Sequence, residues 1–91
     1  FAVLVPGGDR AALHRLAERI RVAVAAQPVL VEAGPVAVTT SVGAALLPSQ
    51  EARGLAIGEL GELGGRLLAL ADTALYAAKR NGRNRVEMAE A

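Results

Sequence analysis

The apolar positions change rhythm along the chain, and each change marks an element. Residues 1–5, FAVLV, are continuously apolar, which predicts a buried strand. Pro6, Gly7 and Gly8 stop that run, and Asp9 stands where a helix N-cap is expected. Leu13, Leu16, Ala17, Ile20 and Val24 then recur at helical spacing, with His14, Arg15, Glu18 and Arg21 on the other side. Glu18 lies one helical step from Arg15 and from Arg21, a spacing that favours weak surface pairs. Pro28 closes this helix.

Beyond it the rhythm becomes strand-like. Residues 29–32 predict a short strand, Ala33, Gly34 and Pro35 a turn, and residues 36–46 a longer strand, together a hairpin. Val36, Val38, Thr40, Val42, Ala44 and Leu46 alternate onto one face of the longer strand. Gly43 falls on the other face, which points to a bulge or to a close backbone approach. Residues 47–65, with GELGELGG, lose the rhythm. Each glycine costs a helix about 1 kcal/mol relative to alanine, so this stretch predicts a loop insertion holding at most one helical turn near residues 55–60. Leu67, Leu70, Ala71, Ala74, Leu75 and Ala78 resume a helical stripe over 66–81, and Gly82 is placed to stop it. Residues 84–89 predict a last strand, with Val86 and Met88 facing the same way. Asp72, Tyr76, Lys79 and Arg83 follow one another at steps of three and four. Tyr76 is expected to be half-buried, ring packed and hydroxyl exposed.

The order strand, helix, hairpin, helix, strand belongs to the α/β (α+β) class, with a ferredoxin-like succession of elements. With 91 residues the chain suffices for one small domain, and 53% apolar residues predict a buried core. A formal charge of +1 gives no global argument for nucleic-acid binding, so an anion site would have to come from local clustering. There is no cysteine, and one histidine, His14, cannot build a histidine metal cluster. No apolar run reaches the roughly 18 residues of a membrane span, and no membrane contact is expected from this segment. The cations cluster in one place: Lys79 and Arg80, then Arg83 and Arg85 across Asn81, Gly82 and Asn84. They either answer the dipole at the end of a helix or meet an anion.

The stretch ADTALYAAKRNGRNRV, residues 71–86, closely resembles the C-terminal signature of the GGDEF family, the diguanylate cyclases. VAVTTSVGAALLP resembles the strand before it in that family, and FAVLVPGGD followed by LAERIR resembles the segment after the signature turn. Phe1 aligns with the last letter of GGDEF itself, so the resemblance places the chain as the C-terminal half of such a domain. The implied fold is a mixed nucleotidyl-cyclase sheet whose central strand lies upstream. In it, residues 1–5 and 36–46 run the same way and flank that strand. Residues 84–89 pair in parallel with 36–46 through a right-handed crossover.

The implied activity is condensation of two GTP into cyclic di-GMP by two domains of a homodimer, assisted by Mg2+ or Mn2+. Lys79 and Arg83 match family positions that contact GTP phosphates. Arg19 matches an arginine of the inhibitory cyclic di-GMP site. Asp72 and Tyr76 match positions with a structural role. The family's metal-binding and guanine-reading residues have no counterparts in this sequence. No catalytic residue, metal ligand or bound cofactor is therefore expected in this chain alone. The resemblance also implies a cytoplasmic setting, where GTP is, and an upstream sensor or receiver module. Two alternatives stand beside it: a degenerate GGDEF module with a regulatory or dimerising role, and an unrelated small α/β interaction domain.

Overall fold

The computed structural model describes residues 2, 3, 9–47 and 57–90. The strand expected over residues 1–5 lies for the most part outside them. Helix α1 spans Arg10–Ala26. Asp9 caps it as the sequence predicts: its Oδ1 accepts the Ala12 N–H at 2.8 Å, and its carbonyl accepts the Leu13 N–H at 3.0 Å. The apolar stripe of α1 is covered only in part. Ala17 is buried and Leu13 and Leu16 are half-buried, but Ile20 and Val24 are 39% and 37% exposed. The helix and the strands also differ in length. The strands facing α1 are five residues long, about 17 Å. A helix of 17 residues runs about 26 Å.

The hairpin is shorter than the alternation predicts. Strand β1, Val29–Val31, pairs antiparallel with β2, Gly34–Val36, in the register Val29↔Val36 and Val31↔Gly34. Gly34 takes a positive φ of 116° at the tight connection. The run expected as one strand over 36–46 is divided. After β2 it leaves the first sheet, and β3, Val42–Leu46, belongs to a second one. Alternation marks which residues can lie in a strand; it does not say which partner each half will take.

That second sheet is a β-α-β unit. Helix α2, Ile57–Arg80, connects β3 to β4, Val86–Glu90, and the strands pair in parallel from Val42↔Val86 to Leu46↔Glu90. This parallel pairing is the one the family resemblance implies. Helix α2 starts at Ile57 rather than at residue 66, so residues 57–65, expected as loop, are helical. Leu63 explains the difference: it sits one turn before Leu67, continues the same stripe, and is 8% exposed. Gly58, Gly61, Gly64 and Gly65 lie on the exposed side, with open space where a Cβ would be.

Among the described residues the buried ones are Ala17, Ala44, Leu63, Ala74 and Ala78, and small side chains dominate them. Gly43 makes this close packing possible. A Cβ there would overlap the Ala71 carbonyl and the Leu75 amide, and would come within 2.6 Å of the Leu75 Cα. The close approach anticipated at Gly43 is thus a contact of β3 with the α2 backbone. No helix among the described residues is long and apolar enough to cross a membrane.

Replacing Gly43 by alanine is expected to destabilise the fold by about 1–3 kcal/mol, the cost of overpacking. Gly64→Ala is expected to stabilise it by up to about 1 kcal/mol through helix propensity. Chemical denaturation of both variants checks the pair, and a Gly43→Ala protein as stable as the parent would contradict the packing described.

Candidate functional site at the end of helix α2

Sequence and structure converge on the turn between α2 and β4. Ala77 and Ala78 lie on the packed side of α2, and their carbonyls accept the amides of Asn81 and Arg83, each at 2.9 Å. The second bond reaches back across Gly82 and closes a Schellman-type end, with Gly82 at φ 122°. The stop expected at Gly82 is therefore observed. The chain then stays in the left-handed region for Arg83, φ 63°, and Asn84, φ 47°. Such a conformation costs an ordinary residue about 1–2 kcal/mol, and asparagine tolerates it better than arginine.

Contacts from several elements hold the turn. The Arg85 carbonyl accepts the Val42 amide at 3.0 Å, which ties the exit of the turn to β3. Asn81 Nδ2 donates to Glu87 Oε1 on β4 at 3.1 Å. The Arg85 side chain folds back, its Nε 3.4 Å from the Arg83 carbonyl, and its Nη2 would lie 2.9 Å from a Cβ on Gly82. Glycine suits this position for its φ, while the exposed tip of Arg85 could move aside for a Cβ. From α1, Arg21 Nη1 donates to Asn84 Oδ1 at 2.9 Å.

Lys79, in the last turn of α2, and Arg83, just past it, are both exposed. Among the described residues neither side chain makes a hydrogen bond or ion pair. Arg80 lies over the Tyr76 ring, 5.7 Å from its centroid. Tyr76 is 63% exposed rather than half-buried. Ala74 and Ala78 define the packed side of α2, and Tyr76, midway between them in sequence, points away from it. Asp72 is exposed too. Arg19 is exposed on α1, where it borders an open depression with Glu18, Val22 and Ala23.

Sequence reasoning missed Arg21. It expected a weak surface pair with Glu18, whereas Arg21 grips that carboxylate through two nitrogens, Nε to Oε1 at 3.0 Å and Nη2 to Oε2 at 2.9 Å, while Nη1 holds Asn84. The (i, i+3) spacing of Glu18 and Arg21 was a visible signal for the first contact. Nothing in the sequence signalled the second. The hydrogen bonds from Arg21 hold the Glu18 carboxyl below its usual range, against the opposing effect of desolvation. The same contact raises the guanidinium of Arg21. Among the described residues there is no group of three or more His, Cys, Asp or Glu able to hold a metal ion. The divalent ion implied by the resemblance therefore finds no ligand set in them.

A profile of the family described as "Diguanylate cyclase, GGDEF domain" matches residues 1–85. The chain belongs to the GGDEF family, and the reading as an unrelated interaction domain is set aside. It is 37% identical over 89 residues to "Diguanylate cyclase DgcP" of Pseudomonas aeruginosa, covering 98% of this chain and 12% of the relative. It is 41% identical over 91 residues to "Uncharacterized protein YhcK" of Bacillus subtilis, covering 99% of this chain and 23% of that protein. The chain thus spans less than a quarter of the length of either relative.

The Glu18–Arg21 contact has a defined pH dependence. The folded-state value of Glu18 lies below the ordinary 4.5, so the contact contributes fully above that pH and is lost as pH falls through the folded value. Carbonyl-carbon NMR titration is expected to place the Glu18 midpoint under 4.5 and to return it to the ordinary range in Arg21→Ala. A midpoint unaffected by Arg21→Ala would contradict this.

Proposed function

We propose that these residues form the C-terminal part of a diguanylate cyclase domain, one that condenses two GTP into cyclic di-GMP, and that Lys79 and Arg83 contact the GTP triphosphate. The supporting observation is a pair of exposed cations without a side-chain partner among the described residues, Lys79 in the last turn of α2 and Arg83 within the positive-φ turn that follows, in the stretch that resembles the family signature. An ammonium and a guanidinium supply a point charge and a planar fork, both suited to phosphate oxygens. In this reading two such domains face each other as a homodimer, each presenting one nucleotide. An upstream sensor or receiver module controls their approach in the cytoplasm. Arg19, exposed on α1, is assigned to a product-binding inhibitory site. The described residues give the family's metal ion no ligand set, so their part in the chemistry is to bind and orient phosphate.

A second reading is a GGDEF module that regulates or dimerises without catalysis. Turnover separates the two. The 91-residue chain alone is expected to make no cyclic di-GMP from GTP with magnesium or manganese, as followed by chromatography. Product formed in proportion to added chain would overturn that expectation. If the full-length protein turns GTP over, the catalytic reading holds.

In that full-length protein, Lys79→Ala and Arg83→Ala are each expected to weaken use of GTP by about 1.5–3 kcal/mol, one charge-assisted contact. Stability should change by less than about 1 kcal/mol, because both side chains are exposed. Steady-state kinetics and thermal melts measure the two quantities. Unchanged kinetics in both variants would return the cations to the role of helix-dipole partners.

A further inference from the structure

We propose that Arg21 of α1 is a positioning residue for nucleotide binding, holding the left-handed turn that presents Arg83; this rests on the reading of Arg83 as a phosphate contact. All three nitrogens of the Arg21 guanidinium are engaged. Nε and Nη2 take both oxygens of Glu18, at 3.0 and 2.9 Å, and Nη1 takes Asn84 Oδ1 at 2.9 Å. The two-point grip of Glu18 fixes the plane of the guanidinium and therefore the direction of its third donor. That donor bridges 63 positions of sequence to a residue at φ 47°.

Arg83 is thereby held on both sides. Its own amide is bonded to Ala78 at 2.9 Å, and the next residue is tethered to α1. Arg83 itself sits at φ 63°, a conformation that an arginine does not keep without such constraints. The Arg21 side chain is 22% exposed, and the bond to Asn84 is the side-chain hydrogen bond from α1 to this turn among the described residues. Without it, Asn84 is free to return to the ordinary φ < 0 basin, which would re-aim Arg83. The effect on nucleotide is indirect: Arg21 sets where Arg83 points.

Glu18 extends the same unit. It borders the depression that also contains Arg19.

The test uses the full-length protein with two readouts, the affinity for a non-hydrolysable GTP analogue and amide hydrogen exchange over residues 82–85. Arg21→Ala is expected to weaken the analogue on the order of 10-fold and to speed exchange in that segment. Arg21→Lys should act in the same direction, because one ammonium cannot serve Glu18 and Asn84 with the fixed fork of a guanidinium. Asn84→Ala removes the tether from its other end and should mirror Arg21→Ala, which keeps the test decisive if the Arg21 variant is poorly folded. In the Arg83→Ala background, Arg21→Ala should cost little more, since both act through one contact. Losses that simply add, or unchanged exchange over 82–85 in both Arg21→Ala and Asn84→Ala, would overturn the positioning role. A silent Arg83→Ala would instead overturn the phosphate reading on which it rests.

Discussion

The backbone of β3 lies directly against the backbone of α2 at Gly43, and the placement of the other elements follows from that contact. A single methyl group there would collide with the Ala71 carbonyl and the Leu75 amide. With none, Ala74 and Ala78 of α2 can sit buried on the sheet. Small residues bury little apolar area, so the stabilisation depends on many close dispersion contacts. Those contacts are lost quickly if the two elements separate even slightly. The approach also fixes where α2 ends, because β4 must return in register with β3, from Val42↔Val86 onward. The turn from Asn81 to Arg85 has to fit the space that remains.

That constraint gives the turn its chemistry. Cations near a helix C-terminus gain about 0.3–1 kcal/mol each from the dipole. Lys79 and Arg80, in the last turn, already occupy the positions where that gain is available. Arg83 lies past the helix in a left-handed conformation, which costs about 1–2 kcal/mol. The dipole alone does not account for keeping a costly arginine there. The phosphate contact proposed for Arg83, about 1.5–3 kcal/mol, is large enough to. The Schellman-type bond to Ala78, the Arg85 carbonyl on Val42 and the Asn84 tether to Arg21 together maintain the strained segment. Strain held by contacts from separate elements is the kind that persists at binding sites.

Much of this was legible in the sequence because it depends on neighbours a few residues apart. Asp9 as cap, the helical stripe ending at Gly82, and the cation cluster after it are local patterns, and each is found where expected. Even Gly43 could be read, since a glycine inside an apolar strand has few other uses. The local pattern misled where packing outweighed propensity. The glycines of GELGELGG predicted loop, but Leu63 buries itself and carries the helix back to Ile57. Alternation from Val36 to Leu46 predicted one strand, but the segment divides between two sheets.

What the sequence determined by itself was the Asp9 cap, the stop at Gly82, the family signature, and Lys79 and Arg83 as candidate phosphate ligands. Tertiary structure alone decided how far the apolar stripe of α1 is covered, which way Tyr76 points, and which residue α1 sends to the turn. The last point shows the reason most clearly. Arg21 and Asn84 are 63 positions apart, and no periodicity spans that distance. Their contact exists only because β3, α2 and β4 bring the turn beside α1, and that placement is set by packing between elements rather than by the pattern within any one of them.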